Sequence, residues 1–177
     1  GPALLLFAGF TFLLLAADLA SKYWAFRYVA GVPVEHVQEA ATDPDFWQRY
    51  PHESRVVIPH VLNLHLTTNT GAVFGQGRGM QPVFVVFSIV AAGALVVIFV
   101  RSQARSWMLH VALALVLAGA LGNLYDRARY QVVRDMLHLL PTTGLWPWIF
   151  NLADVALVIG VSLLALLIYR MDTARHS

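Results

Sequence analysis

The sequence predicts an all-α membrane protein, a bundle of four transmembrane helices with a small extracytoplasmic β segment. Composition and segment length both support this fold class. The chain of 177 residues is 58% hydrophobic and only 12% charged, with a mean hydropathy of +0.63, which is too apolar for a soluble domain of this length. Four apolar segments are each long enough to cross a hydrocarbon core of roughly 30 Å. The whole chain is expected to form a single integral membrane domain.

The four predicted spans are long apolar runs with polar residues gathered toward one end. They are residues 3–28, 82–100, 107–124 and 150–169. The second span contains no charged residue, and at ~1.5 Å per residue it covers about 28 Å, close to a full hydrocarbon core. Tryptophans near the span ends are typical of the aromatic belts of membrane proteins.

The distribution of basic residues predicts how the spans are oriented. An even number of spans places both termini on one side of the membrane. The connection Arg101–Arg105 holds two arginines and no acid, and the segment after Tyr169 holds Arg170 and Arg175 against Asp172. The positive-inside rule therefore predicts that both termini are cytoplasmic.

Residues 30–81 form the one sizeable water-soluble segment, which this topology makes an extracytoplasmic insertion. Val34–Ala41 has the apolar spacing of a helix, and Leu62–Leu66 alternates like a half-buried strand. A turn at Thr68–Gly71 then leads to a predicted return strand, Ala72–Phe74. The insertion is therefore expected to carry short β-strands.

Polar residues inside or beside the spans collect at the extracytoplasmic face. Within each span they are three or four residues apart, so each set shares one face of its helix. The sets are Asp18 with Lys22, Asn123 with Asp126 and Arg127, and Asn151 with Asp154. Because a charge at membrane depth costs roughly 3 kcal/mol or more, these faces are expected to turn toward the bundle or a wet cavity.

Asp154 is the hardest of these residues to explain as structure alone. The helix macrodipole favours an anion near a helix start, yet apolar or small residues follow Asp154 without interruption through Tyr169. Asp135, in the connection before the last span, would by itself be an ordinary loop acid. Two carboxyl groups that share a proton can activate water, as in aspartic proteases, so the two aspartates together predict a peptidase.

The other polar residues have plain structural explanations that the sequence leaves open. Asp18 and Lys22 are read most simply as members of an ion pair. Asn151 can also be explained as a helix N-cap. Asp126 and Arg127 can be explained as a solvated charge pair at a helix end.

Several function classes are excluded or disfavoured by what the sequence lacks. With no cysteine there is no disulfide, thiolate nucleophile or cysteine metal site, and no H-E-x-x-H motif supports a zinc protease. No metal or organic cofactor is predicted, and without a basic stripe neither is nucleic-acid binding. A proton- or ion-coupled transporter is the rival class, since intramembrane Asp, Lys and Arg also build proton relays. The cytoplasmic halves of the spans are bare of charge, which favours the peptidase over the transporter.

Five motifs, in order along nearly the whole chain, resemble those of lipoprotein signal peptidase, the bacterial signal peptidase II family. They are Asp18 with Lys22, Asn69–Phe74, Gly122–Arg127, Asp135 and Phe150–Asp154. The resemblance implies that Asp135 and Asp154 are the catalytic dyad. It assigns substrate binding or support of the site to Asn69, Gly71, Asn123, Asp126, Arg127, Asn151, Asp18 and Lys22. Arg134 and Met136 depart from the family pattern, which usually has a small aliphatic residue and an aromatic residue at these positions.

The resemblance also implies an activity and a location. The chain is expected to be an intramembrane aspartic endopeptidase of the bacterial inner membrane, with its active site near the extracytoplasmic face. It is expected to remove the signal peptide from diacylglyceryl-modified prolipoproteins, cutting on the amino side of the lipidated cysteine. Lipidated prolipoproteins and membrane lipid are the expected partners, and a monomer is the simplest assembly.

Overall fold

The computed structural model describes residues 1–71 and 80–176 and confirms the predicted fold class, long apolar helices joined to a small antiparallel sheet. The α-helices of the described residues are α1 (Pro2–Trp24), α2 (Phe46–Arg49), α3 (Gln81–Arg101), α4 (Trp107–Tyr130) and α5 (Leu152–His176). All but α2 are long and apolar enough to cross a membrane. The predicted return strand, Ala72–Phe74, lies outside the described residues.

Two of the long helices continue beyond their apolar cores. A π-helical turn, Ala25–Val29, follows α1, and α4 runs on to Tyr130, past the predicted span end at Leu124. Because α4 stays helical there, Asp126 keeps its helical spacing to Asn123, so both side chains share one face of the helix.

The chain forms two compact units. The helical unit consists of Gly1–Asp18, Phe87–Gly122 and Leu152–Ser177, and the sheet unit consists of Leu19–Val86 and Asn123–Asn151. In the helical unit, α4 and α5 approach closely because glycines face the neighbouring helix. A Cβ added at Gly119 would lie 2.7 Å from Leu157 Cγ and would collide with the Ala153 carbonyl oxygen. This is the small-residue packing by which membrane helices bring their backbones together.

We therefore expect Gly119→Ala to lower the thermal unfolding midpoint of the detergent-solubilised protein. The added methyl group overpacks the contact of α4 with α5, a change that costs about 1–3 kcal/mol in a packed core. Gly93→Ala in α3 is the matched control, because no neighbouring heavy atom lies within 4 Å of its added Cβ. A midpoint for Gly119→Ala equal to that of Gly93→Ala would contradict the close packing.

In the sheet unit, β1 (Arg55–Ile58), β2 (Leu62–Asn69), β3 (Val133–Leu139) and β4 (Ile149–Phe150) form one antiparallel sheet in sequential order. The predicted strand Leu62–Leu66 lies within β2. The register places Thr67 of β2 opposite Asp135 of β3. Asp135 is thus held on a strand between two neighbours, where the sequence alone indicated a loop.

Residues 25–47 pack onto this sheet through an apolar core. The predicted helix Val34–Ala41 is a 3₁₀ helix, and its Val37 is fully buried. Phe26 from the π-helical turn and Phe46 from α2 belong to the same buried cluster as Leu66 of β2. Trp47 Nε1 also donates a hydrogen bond to Thr68 Oγ1 at 3.3 Å. Residues 25–47 therefore support the strand that ends at Asn69.

Three histidine rings lie close together in the sheet unit. The ring centroid of His65 lies 5.8 Å from that of His52 and 6.2 Å from that of His138. Burial lowers the pKa of the His65 imidazole, and charge repulsion from His52 and His138 lowers it further. His65 is thus favoured in its uncharged form, which suits this packing.

Candidate active site

Asp126, at the end of α4, is the anionic centre of a buried charge cluster in the sheet unit. Its Oδ1 accepts hydrogen bonds from Arg134 Nε at 3.1 Å and Nη2 at 2.7 Å, and its Oδ2 accepts one from the Arg134 backbone N–H at 3.0 Å. Lys22 Nζ lies 3.3 Å from the same Oδ2, and both side chains are fully buried. The Arg134 guanidinium also lies 4.6 Å from the centroid of the Tyr130 ring. One carboxylate therefore holds two buried cations, Lys22 and Arg134.

A chain of amide hydrogen bonds connects this cluster to Asp135. Lys22 Nζ donates to Asn123 Oδ1 at 3.2 Å, and Asn151 Nδ2 donates to the same oxygen at 3.2 Å. Asn151 Nδ2 also donates to Asp135 Oδ1 at 2.6 Å. Since an amide nitrogen carries two hydrogens, both of those on Asn151 are used, and its orientation is fixed. Asn151 thus orients the Asp135 carboxyl group in a buried setting.

A second contact anchors the turn that follows β2. Asn69 Oδ1 accepts a hydrogen bond from the Gly71 backbone N–H at 2.8 Å, and Arg127 Nη2 donates to the Gly71 carbonyl at 3.1 Å. The Arg127 guanidinium also lies 5.4 Å from the ring centroid of Phe84. Asn69 and Arg127 therefore hold the turn through the backbone N–H and the carbonyl of Gly71.

In the helical unit, Asp18 fixes the start of α5. Its Oδ1 accepts a hydrogen bond from the Ala153 backbone N–H at 2.9 Å, which satisfies a donor of the first turn that has no partner within the helix. A Cβ added at Gly122 would lie only 2.5 Å from Asp18 Oδ2, so this approach needs a glycine. Asp154 is the next residue of that turn and is half-buried.

The structure brings most of the predicted site residues into these networks. Lys22, Asn123, Asp126, Asp135 and Asn151 share the buried network of the sheet unit, and Asn69, Gly71 and Arg127 form the anchored turn. Asp18, on α1, binds the first turn of α5, which carries Asp154. Arg134 and Gly122 were not among the predicted site residues. No local pattern marked Arg134, because its contact with Asp126 depends on strand β3, which the sequence did not predict.

No group of three or more His, Asp or Glu side chains in residues 1–71 and 80–176 is arranged to hold a metal ion. The chemistry that these residues offer is that of carboxyl groups, amides and buried cations. Such a set can exchange protons and orient a polar substrate.

Comparison with known proteins identifies the family. A family model described as signal peptidase (SPase) II matches residues 10–170. A lipoprotein signal peptidase of Desulfitobacterium hafniense is 36% identical over 120 residues, covering 68% of this chain and 77% of the relative. One of Moorella thermoacetica is 40% identical over 114 residues, covering 64% and 73%. A bacterial membrane enzyme solved by the in meso method at 2.3 Å resolution superimposes with a TM-score of 0.76 at 28% identity, covering 97% of this chain and 91% of that one. This chain therefore belongs to the signal peptidase II family.

Proposed function

We propose that this chain is an aspartic endopeptidase in which Asp135 and Asp154 together activate the attacking water. Family membership and the four apolar helices already make it a peptidase and a multi-pass bacterial membrane protein. The proposal adds the catalytic type, the substrate and the cleavage site. It also retains the predicted topology, with cytoplasmic termini and a site near the extracytoplasmic face. Membership in a peptidase family favours this function over the transporter.

The hydrogen bond from Asn151 Nδ2 to Asp135 Oδ1 is the observation that carries the proposal. A buried carboxyl group that receives an amide donor at 2.6 Å is held in one orientation, as a reacting group must be. Asn151 lies three residues before Asp154 in the sequence. Residues 151–154 therefore supply both the amide that orients Asp135 and the carboxyl group of Asp154.

The proposed mechanism needs one proton shared between the two carboxyl groups. The ionised aspartate removes a proton from water, and the protonated one donates its proton to the carbonyl oxygen of the scissile amide. As the carbon–nitrogen bond of the tetrahedral intermediate breaks, the aspartate that took the proton from water gives it to the departing amine. The other aspartate takes a hydroxyl proton from the intermediate, which leaves a carboxylic acid and restores the starting protonation of the pair. Because like charges a few ångströms apart resist ionising together, the pair titrates as a unit.

Prolipoproteins that carry diacylglycerol on a cysteine are the proposed substrates. The two relatives described above are both lipoprotein signal peptidases. A precursor of this kind has an apolar signal helix and acyl chains that are soluble only in a bilayer. Its scissile bond, on the amino side of the modified cysteine, lies where these apolar parts meet water. A membrane enzyme whose polar groups collect at the ends of its spans suits such a substrate.

The substrate proposal is tested with two synthetic precursor peptides that differ only in the diacylglyceryl group on the cysteine. We expect the purified protein, acting as a monomer in detergent, to release the signal peptide from the lipidated peptide alone. Mass spectrometry of both products should place the cut directly before the modified cysteine. Equal cleavage of the unmodified peptide, or a cut at another bond, would contradict the proposal.

A further inference from the structure

A groove lies between the start of α4 and the end of α5, within the helical unit. It is lined by Arg105, Trp107, Met108, Leu109, Leu167 and Met171. Its volume is about 270 Å³. Because drug-sized ligands occupy roughly 300–1,000 Å³, this groove suits one narrow apolar chain rather than a bulky ligand.

The segments that form the groove carry several basic residues. Arg105 lines the groove directly, and the exposed Arg101 and Arg170 lie on the adjoining helix ends. The exposed Asp172 is an acid beside them, so the arginines outnumber it. Arg105 Nε donates to Gln103 Oε1 at 2.9 Å, which orients the guanidinium. An anionic group is therefore the complement that the charge of these segments favours.

Exposed aromatic side chains stand on both helices that form the groove. Trp107 is 60% exposed and Tyr169 is 67% exposed, and they stand at the start of α4 and near the end of α5. Tryptophan and tyrosine concentrate where the hydrocarbon core meets the headgroups. From this pattern we expect the apolar lining of the groove to face acyl chains and Arg105 to lie among the headgroups.

Hydrogen bonds hold the connection between α3 and α4, which carries Arg105. Ser102 Oγ donates to the Phe99 carbonyl at 2.6 Å and also lies 2.7 Å from Nε2 of the buried His110. Since the hydroxyl has only one hydrogen, His110 Nε2 is the donor of the second bond. A connection fixed in this way loses little entropy when a ligand binds beside it.

We propose that this groove is a binding site for an anionic phospholipid of the membrane. The phosphate pairs with Arg105, and one acyl chain lies along Leu109 and Leu167. The guanidinium–phosphate contact holds the headgroup, the arginines favour a headgroup of net negative charge over one whose choline cancels that charge, and the apolar lining supplies affinity for the chain. This site is independent of the aspartic mechanism, so either proposal can fail without the other.

Native mass spectrometry of the delipidated full chain tests the site by titration with dioleoyl phosphatidylglycerol and dioleoyl phosphatidylcholine. We expect the wild-type protein to bind the anionic lipid more tightly. Arg105→Gln should lose about fivefold in affinity for phosphatidylglycerol, the effect of roughly one cationic side chain at an anionic surface. Its affinity for phosphatidylcholine should fall by less, because the choline cation already offsets the phosphate charge.

Two further variants separate this site from general charge effects. Arg129→Gln removes an exposed arginine from the opposite end of α4 and should bind phosphatidylglycerol like the wild type. Leu167→Trp fills the groove and should weaken both lipids. Equal wild-type affinity for the two lipids would overturn the proposal. So would an unchanged Arg105→Gln, an equal loss in Arg129→Gln, or an unaffected Leu167→Trp.

Discussion

Replacing Asp135 or Asp154 with asparagine is expected to abolish cleavage of a lipidated precursor while leaving the protein folded. Asparagine keeps the size of the side chain but cannot exchange a proton, so the variant loses either the base that activates water or the acid that protonates the carbonyl. General acid–base catalysis contributes about 10²–10⁴-fold per group. We therefore expect kcat to fall by at least about 10³-fold in each variant, measured by mass spectrometry of the released signal peptide.

Asp172→Asn is the matched control, because Asp172 lies on the same helix as Asp154 and its side chain is exposed. It should cleave the precursor at the wild-type rate. Thermal midpoints of all three variants in detergent show whether lost activity reflects lost chemistry or lost structure. Turnover at the wild-type rate by a folded Asp135→Asn or Asp154→Asn protein would remove that aspartate from the mechanism.

The double variant provides a sharper test of whether the aspartates act as a unit. Catalytic groups that share one step are strongly non-additive, so losing the second costs little once the first is gone. Asp135→Asn/Asp154→Asn should therefore be about as slow as the slower single variant. Losses that multiply would indicate two independent roles and would rule out a shared proton.

The helices were predictable because burial in lipid demands long apolar runs, which composition reveals directly. Strand β2 was also predictable, since Leu62, Leu64 and Leu66 alternate with polar residues. Strand β3 was not. Its first four residues are all buried, including Arg134 and Asp135, so the strand has no polar face to alternate with an apolar one. A polar strand that is buried on both faces does not alternate polar and apolar residues, and strand prediction depends on that alternation.

The site residues were predictable in identity but not in arrangement. Spacing put Asp126 beside Asn123 on one helix face, yet nothing local indicated that Asp126 would hold Arg134, because that contact depends on a strand that was itself missed. The link from Asn151 to Asp135 likewise needs the register of β3 with β4, which places Leu137 opposite Phe150. Interactions set by sheet register are tertiary and escape sequence patterns.

Asp126→Asn is expected to be the most destabilising polar substitution in the sheet unit. It leaves the buried cations of Lys22 and Arg134 without their carboxylate, and breaking a buried ion pair by removing one partner costs about 3–5 kcal/mol. Denaturant unfolding in detergent measures the loss. Asp43→Asn is the control, because the ion pair of Asp43 with Arg49 is partly exposed to solvent, and surface pairs contribute about 0–1 kcal/mol.

A double-mutant cycle distinguishes charge imbalance from lost packing. Arg134→Met alone still leaves Asp126 paired with Lys22, so it should cost less than Asp126→Asn. In the Asp126→Asn background the same change removes one stranded cation and should recover part of the stability. Additive losses would show that Asp126 and Arg134 do not stabilise each other. We expect the double variant to recover stability but not cleavage. Arg134 directly precedes Asp135, so replacing it weakens the contacts of the strand that carries the proposed catalytic carboxyl group.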